Sequence, residues 1–444
     1  MRDIIERIAE MVLLEMHGTI AESTGATLTA LDFPAPLGGV AMIETTTGTF
    51  YAEVIGFRDG RTLLAPWDDA IATGIRPGMS IRLTRSRRYV GVGPELCGRT
   101  LNAHAEPMDD GPTLAPTFLC RPEGDVVPGP LDRPPIRTPL GTGVRAIDGL
   151  LTIGRGQRMA ILAGSGVGKS RLLGTIARAT DADIVVAALI GERSREVADF
   201  VQRDLAAARE RSVVVVATSD EPAIRRVHAI ETAFTVAESF RDSGKHVLLL
   251  VDSLTRAATA MREIGLAAGE PPAARGFPPS VFTRLPRLLE RAGPTADGSI
   301  TAICTVLVEA DDPQDPIADA VRGILDGHIW LSRTLAERGH YPAIEIGRSV
   351  SRLMPELVTP LHRTAADRIR ALIGVWTQHE DLISLGAYRR GGDPAIDAAI
   401  DAHEPIRRYL MQDLSVTGDF DAARHELLLL VRSLLAGEES GAKR

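Results

Sequence analysis

A glycine-rich segment in the middle of the chain ends in a lysine and a serine. Residues 163–170 read Ala-Gly-Ser-Gly-Val-Gly-Lys-Ser. The glycines let successive backbone N–H groups turn toward phosphate oxygens, and a helix that begins here adds the partial positive charge of its N-terminus. Lys169 would reach the β- and γ-phosphates of ATP, and the Ser170 hydroxyl would bind Mg²⁺. The segment therefore predicts a P-loop at which Mg-ATP is bound and hydrolysed.

The surroundings of this segment favour phosphate binding over a glycine turn without a ligand. An apolar strand is predicted over residues 159–162 and a helix from residue 170, which is the context that a P-loop needs. The strict pattern has glycine at position 163, where this chain has alanine. The residues predicted to bind the nucleotide around this turn are Gly164, Ser165, Gly166, Val167, Gly168, Lys169, Ser170 and Arg171.

Two acidic residues follow apolar strands of the same region. Asp252 comes after the run Val247–Val251, and Glu192 comes just after the run Ile184–Ile190. In a parallel sheet, ligands bind at the carboxyl ends of the strands. Asp252 is predicted to hold Mg²⁺ through a water molecule, the alternative being a cap for the helix that follows. Glu192 is predicted to orient the attacking water, the alternative being a glutamate that stabilises a helix N-terminus.

The elements that must position these residues form three regions. Six short strands between turn residues are predicted before residue 85, which indicates a small N-terminal β-barrel over residues 1–88. A proline-rich connector leads into apolar strands that alternate with helices, one of them over residues 195–209. This alternation predicts a P-loop α/β domain with a parallel sheet over residues 89–360. Helical periodicity without strands predicts an α-helical domain over residues 361–444.

Composition limits the possible partners and compartments. The chain has 444 residues, 44% hydrophobic and 24% charged, as is usual for soluble globular proteins. A formal net charge of −8 argues against a protein that mainly coats nucleic acid. The three cysteines are far apart in sequence and define no metal site, so a reducing cytoplasm is expected. The apolar stretches are too short to span a bilayer, so any membrane contact is expected to be peripheral.

Several further segments resemble one family of ATPases. They are closely similar to the type III protein export ATPases of flagella and injectisomes, which are relatives of the F-type ATP synthase β subunit. The likeness is dense over residues 142–360 and looser on either side, and it implies a RecA-like central domain. One departure is Ser194, where the export enzymes usually have glycine. The segments that carry the likeness are residues 189–197, 252–256, 263–272, 276–282, 326–329 and 339–346.

The resemblance implies roles for individual residues. Glu192 would polarise the attacking water, and Arg193 would lie near the phosphates, although a structural salt bridge is the alternative for this arginine. Tyr341 would stack on the adenine ring, with simple packing as the alternative. Arg352 would be the arginine finger that a neighbouring subunit inserts toward the γ-phosphate, and only the resemblance separates it from Arg348. The residues expected to take part in catalysis are Lys169, Glu192, Arg193, Asp252 and Arg352.

The resemblance also implies how the protein works. It implies a homohexamer that hydrolyses Mg-ATP to unfold export substrates or to release them from their chaperones. Stalk and regulator proteins of the export apparatus would be further partners. Such a motor is cytoplasmic and lies at the inner face of the bacterial membrane, and no nucleic acid is expected to bind.

Other classes of protein share this core and remain alternatives. The catalytic subunit of an F- or V-type ATP synthase is one, but residues 269–273 and 339–346 are of the export type. A Rho-like hexameric translocase would carry an aromatic-rich, basic barrel, whereas aromatic residues are scattered before residue 85. The nearby Arg85, Arg87 and Arg88 are expected to lie at a solvated strand end. A non-catalytic subunit would be expected to lack Glu192.

Overall fold

Three regions follow one another along the chain in the computed structural model: a β-barrel, a large sheet with helices, and a set of C-terminal helices. The structure describes residues 15–69, 74–114, 119–122, 127–164, 166–308, 312, 315–416 and 418–441. This order of regions confirms the fold class predicted from the sequence.

Six antiparallel strands close into a barrel in the order β1-β2-β5-β4-β3-β6. Alternate residues point inward, so apolar side chains fill the interior, and Ile20, Leu64 and Ile81 are each at most 1% exposed. The barrel strands are β1 (His17–Ser23), β2 (Leu28–Leu31), β3 (Val40–Thr45), β4 (Gly48–Arg58), β5 (Arg61–Pro66) and β6 (Ser80–Arg85).

The connector after the barrel contains short strands and a single 3-10 turn, Pro94–Leu96, within its described residues. One strand of the connector pairs with another, and a third extends the large sheet at its edge. The described part of its proline-rich residues 105–143 contains strands and no helix, as the prolines predict. Its strands are β7 (Tyr89–Val92), β8 (Thr100–Leu101), β9 (Leu119–Pro122) and β10 (Pro139–Leu140).

The large sheet has the order β19-β18-β12-β17-β15-β13-β14-β8, and its central strands are parallel. Every residue of β13 and β15 is buried, because helices cover both faces. The strands that follow the connector are β11 (Ile153–Gly154), β12 (Arg158–Ala163), β13 (Ile184–Glu192), β14 (Ser212–Thr218), β15 (His246–Asp252), β16 (Gly293–Pro294), β17 (Ser299–Leu307), β18 (Gly327–Leu331) and β19 (Val350–Ser351).

One apolar core lies on each face of this sheet. Phe234 belongs to the first core, and Ile176 belongs to the second. The helices of this region are α1 (Arg145–Leu150), α2 (Lys169–Ala179), α3 (Ser194–Asp199), α4 (Ala223–Asp242), α5 (Leu254–Ala267), α6 (Pro279–Leu289), α7 (Pro316–Ile324), α8 (Arg333–Glu337) and α9 (Met354–Leu357).

The prediction of a single helix over residues 195–209 is wrong. Helix α3 ends at Asp199, a π-helical turn covers Phe200–Asp204, and a 3-10 turn covers Ala206–Arg211. The Asp204 carbonyl accepts a hydrogen bond from the Arg178 guanidinium at 2.7 Å. The amide of Ala208, which would bond to that carbonyl in an α-helix, donates instead to the Leu205 carbonyl at 2.8 Å. A tertiary contact thus replaces the helical hydrogen bond.

Arg88 follows the last strand of the barrel, is buried against α4 and does not lie at a solvated strand end. Arg85 and Arg87 are exposed as expected, whereas Arg88 is 4% exposed. Its guanidinium donates to the carbonyls of Ala103 and His228, each at 3.1 Å. The sequence interpretation of Arg88 was wrong, because its partners lie far away along the chain.

Three helices follow the large sheet: α10 (Pro360–Ser384), α11 (Pro394–Leu410) and α12 (Phe420–Gly441). Their apolar residues, including Ile369, Ile406 and Leu427, belong to the same buried cluster as one face of the sheet. This continuous core fixes the helices against the large sheet. In the part of the chain that the structure describes, every helix is too short or too polar to cross a membrane.

Candidate functional site

The predicted P-loop lies between β12 and α2. Strand β12 ends at Ala163, and α2 begins at Lys169. Gly166 and Gly168 have φ angles of 81° and 92°, a left-handed conformation that favours glycine and turns the chain sharply. The N-terminus of an 11-residue helix therefore points at the turn.

The remaining predicted nucleotide-binding residues lie around this turn. Gly164 and Val167 are buried, whereas Ser170 and Arg171 are exposed on the first turn of α2. Ser165 lies outside the described residues. The Ser170 hydroxyl is thus accessible at the position where the sequence predicts a Mg²⁺ ligand.

Two carboxylates meet the lysine of the turn. Asp252 ends β15 and Glu192 ends β13, and these strands are parallel neighbours, so both carboxylates lie at the same edge of the sheet as the turn. Lys169 Nζ is 2.5 Å from Asp252 Oδ1 and 3.5 Å from Glu192 Oε1. The Thr305 hydroxyl donates to Asp252 Oδ1 at 2.8 Å. The tertiary structure therefore joins three residues that lie far apart in sequence.

Arg256 is part of this cluster, and sequence reasoning gave it no role. Its guanidinium lies 2.9 Å from Glu192 Oε2 and also donates to the Gly191 carbonyl. Gly191 has a φ angle of 67°, and a Cβ there would lie 2.9 Å from Arg256 Cδ. Glycine therefore lets Arg256 approach Glu192. The sequence did indicate that Arg256 lies near this site, because it follows Asp252 by one helical turn.

Burial and the nearby cations act in opposite directions on the pKa of Glu192. Burial, followed by the nearby Asp252 carboxylate, raises the pKa of Glu192 to about 7. The cations of Lys169 and Arg256 act in the other direction. A carboxylate with a pKa near neutrality, held between two cations at a strand end, is suited to accept a proton from water.

Arg193 lies away from the cluster. Its side chain is 81% exposed, and its guanidinium is 3.9 Å from Oε1 of Glu196, which lies in the first turn of α3. In this chain the arginine that contacts Glu192 is Arg256. The phosphate-side role of Arg193 stays a prediction, and the salt bridge to Glu196 is the contact that the structure gives it.

Tyr341 lies next to the P-loop. A Cβ at Gly168 would be 3.6 Å from the Tyr341 ring, and the tyrosine is 42% exposed. Its carbonyl accepts a hydrogen bond from the backbone amide of Gln412 at 2.9 Å. An accessible aromatic ring beside a phosphate-binding turn can stack on a nucleotide base.

Arg352 lies at the opposite end of the sheet from Lys169. Its backbone amide donates to the Asp326 carbonyl at 3.0 Å, and Asp326 Oδ2 accepts from the amide of Arg158, the first residue of β12. The P-loop follows the last residue of that strand. The strand has six residues, and the five steps between them, at roughly 3.3 Å each, separate its two ends by about 17 Å. Arg352 is therefore far from the P-loop of its own chain.

The structure also distinguishes Arg352 from Arg348. The Arg348 guanidinium lies 3.6 Å from the centroid of the Trp330 ring and 4.0 Å from Glu345 Oε2. The Arg352 guanidinium donates to the Arg322 carbonyl at 3.0 Å at the protein surface. A cation that stacks on an aromatic ring is held in place. The contacts of the two arginines therefore differ, and the finger role of Arg352 stays a prediction.

Comparison with known proteins identifies the family. Residues 143–351 match the ATP synthase alpha/beta family, nucleotide-binding domain, and residues 358–428 match the T3SS EscN ATPase C-terminal domain. The chain is 48% identical over 389 residues to the flagellum-specific ATP synthase of Bacillus subtilis, covering 87% of each chain. It is 46% identical over 417 residues to the type 3 secretion system ATPase of Xanthomonas euvesicatoria, covering 91% and 92%. The chain belongs to the type III protein export ATPases.

Solved structures agree with this assignment. The assembled ATPase EscN of the enteropathogenic E. coli type III secretion system has a TM-score of 0.88 and 45% identity, and the match covers 93% of this export ATPase and 100% of EscN. EscN in complex with its central stalk EscO gives a TM-score of 0.84 at 43% identity. Family membership confirms the resemblance seen in the sequence and favours the export interpretation over the synthase and translocase alternatives.

Proposed function

We propose that this export ATPase is the motor of a type III protein export apparatus. It would act as a homohexamer that couples ATP hydrolysis to the unfolding of export substrates or to their release from chaperones. The observation that carries the proposal is that the predicted catalytic residues lie at two opposite edges of the large sheet. Lys169, Glu192 and Asp252 form a cluster at the carboxyl edge of the sheet, whereas Arg352 lies at the amino edge.

This division requires a second copy of the chain. An arginine finger stabilises negative charge that develops on the γ-phosphate, so it must lie beside the P-loop. Because Arg352 lies about a strand length from its own P-loop, it serves the P-loop of a neighbouring subunit. Repetition of this head-to-tail contact closes a ring when the rotation between neighbouring subunits divides a full turn. The relative EscN has been solved as an assembled ATPase, which supports the ring.

The residues of the cluster would divide the work of hydrolysis. Lys169 and the backbone of Gly166 and Gly168 would hold the phosphates. The accessible Ser170 hydroxyl is an oxygen ligand of the kind that Mg²⁺ prefers, and the Asp252 carboxylate would hold the ion through a water molecule, so the site fits this cofactor. Mg²⁺ supplies neutralisation of phosphate charge when it is bound. Glu192 would take a proton from the attacking water.

The partners follow from the family. EscN was solved with its central stalk EscO, which supports a stalk protein as a partner of this chain as well. Regulator proteins, export substrates and their chaperones would be the other partners. The protein would lie in the cytoplasm, in peripheral contact with the inner face of the bacterial membrane.

The proposal is tested by replacing the chromosomal gene with the Lys169→Ala variant and measuring exported proteins in the culture medium. Export should stop while the variant accumulates to the normal level. The matched control is Lys245→Ala, an exposed lysine just before β15, which should leave export unchanged. Normal export by the Lys169 variant, or loss of membrane-driven ATP synthesis instead of export, would contradict the proposal.

A further inference from the structure

Three distant segments of the chain meet at Gln412, in the loop between α11 and α12. The backbone amide of Gln412 donates to the Tyr341 carbonyl at 2.9 Å. Its side-chain Oε1 accepts from the Arg145 amide at 2.9 Å, and its Nε2 donates to the Gly143 carbonyl at 2.8 Å. One residue of the C-terminal region thus ties the Tyr341 loop to the segment that precedes α1.

The side chain of Gln412 uses both its donor and its acceptor. Besides the bond to Gly143, Nε2 donates to the Val416 carbonyl at 3.2 Å, which closes the loop on itself. Glutamate has the same shape but no hydrogen to donate, so it would place a carboxylate oxygen against two carbonyl oxygens. The two carbonyl groups around this side chain therefore favour an amide over a carboxylate at position 412.

The same loop also contacts the P-loop helix. The Leu414 carbonyl accepts hydrogen bonds from the Thr175 hydroxyl at 3.0 Å and from the Arg178 guanidinium at 2.9 Å, and both donors belong to α2. Helix α2 begins at Lys169, and Tyr341 lies against Gly168. Residues 411–416 therefore connect the helix that follows the phosphate turn with the segment that carries the Tyr341 ring.

We propose that Gln412 is a positioning residue for recognition of the adenine base. Its side chain fixes the loop backbone, and the loop backbone holds the Tyr341 carbonyl, so the ring stays beside the P-loop. The inference rests on the proposed role of Tyr341 in base stacking. Gln412 acts through Tyr341 and leaves the phosphate turn itself intact. Removal of its side chain should therefore weaken binding of ligands that carry a base and spare ligands that consist of phosphates alone.

The experiment compares the Kd of Mg-ADP with the Kd of Mg-tripolyphosphate by calorimetry. Gln412→Ala should raise the Kd of ADP about fivefold, the change that one hydrogen bond of ordinary net strength produces, and leave the Kd of tripolyphosphate unchanged. Gln412→Glu should have the same selective effect, and it decides the question if the alanine variant does not fold. Ser415→Ala, an exposed position in the same loop, is the matched control and should change neither value.

A parallel Tyr341→Ala variant tests the role of Tyr341 in base stacking separately from the role of Gln412. A selective loss of ADP affinity in the Tyr341 variant but in neither Gln412 variant would overturn the role of Gln412 while the role of Tyr341 stands. An equal loss of both ligands in the Gln412 variants would show general structural damage and would also overturn it. An unchanged ADP-to-tripolyphosphate ratio in Tyr341→Ala would show that the base does not stack there, and the Gln412 proposal would fail with it.

Discussion

The guanidinium of Arg256 lies 2.9 Å from the carboxylate of Glu192. The opposite oxygen of that carboxylate is 3.5 Å from Lys169 Nζ, so Glu192 is held between two cations. Arg256 is 31% exposed at its side chain and Glu192 is 7% exposed, which places the arginine on the solvent side of the pair. The orientation and the charge state of Glu192 thus depend on residues from two other elements, α2 and α5.

The activity should depend on pH through Glu192. Its pKa of about 7 is higher than the ordinary value for a glutamate, so the carboxylate is protonated as pH falls through neutrality. A protonated Glu192 cannot take a proton from water, so kcat/KM for ATP should fall below about pH 7. Arg256→Ala should move this acid limb to higher pH because a stabilising cation is lost, whereas Arg256→Lys should keep it near the wild-type position. A pH profile that is flat down to pH 5.5 would contradict the assignment of the base.

Removal of the P-loop lysine should abolish ATP turnover. Lys169→Ala eliminates the cation that binds the β- and γ-phosphates and leaves the two carboxylates, Asp252 and Glu192, without their shared partner. Steady-state phosphate release measures the loss, and circular dichroism checks that the fold is retained. Lys245→Ala should keep the wild-type rate. Near wild-type turnover by a folded Lys169 variant would show that ATP is not hydrolysed at this site.

Glu192→Gln should separate binding from chemistry. Glutamine keeps the shape of glutamate and can still contact Arg256, but it cannot accept a proton from water. Binding of Mg-ATP should remain tight while the single-turnover rate falls by about 10² or more, the usual scale for the loss of a positioned base. If nucleotide affinity collapsed while the rate per bound ATP stayed normal, Glu192 would have a structural role instead.

Two inactive variants should complement each other in a mixture. Arg352→Ala chains keep an intact P-loop, and Lys169→Ala chains keep an intact Arg352. When equal amounts assemble at random, about one boundary in four combines an intact P-loop with an intact finger. A finger contributes roughly 10³- to 10⁵-fold to the rate, so activity should reappear in the mixture while each pure variant stays inactive. Activity that is independent of protein concentration, together with no recovery in the mixture, would place the finger within its own subunit.

The junction between barrel and sheet should make stability depend on pH. Glu53 of β4 lies 2.7 Å from Nε2 of His228 in α4, and burial, followed by the Glu231 charge, raises the pKa of Glu53 to about 7. The folded chain therefore binds this proton more tightly than the unfolded chain. The stability that this group contributes is complete below its ordinary pKa and is lost as pH rises through about 7.

Glu53→Gln removes this dependence because an amide does not ionise in this range. Urea unfolding at pH 6 and at pH 9 should show that the variant gains stability relative to the wild type as pH rises. Glu44→Gln, an exposed barrel position, is the control and should follow the wild type at both pH values. Equal differences between the Glu53 variant and the wild type at pH 6 and pH 9 would refute the prediction.

The sequence by itself determined the parts of this protein that depend on short stretches of chain. The glycines before Lys169, the apolar runs that end at Asp252 and near Glu192, and the barrel strands are local patterns, and each conforms to a rule about backbone freedom or side-chain periodicity. The close similarity of several segments to the type III protein export ATPases also indicated the family. The sequence also contained Arg256, but spacing along a helix does not reveal which carboxylate an arginine meets.

Only the tertiary structure decided the relations between distant segments. The burial of Arg88 and the loss of the helical hydrogen bond at the Asp204 carbonyl result from partners in other elements, and those contacts outweighed the local pattern. The position of Arg352 at the amino edge follows from the pairing of β18 and β19, which no local pattern specifies. Burial and hydrogen bonding depend on what surrounds a residue in space, so contacts across the fold select among the conformations that the local sequence permits.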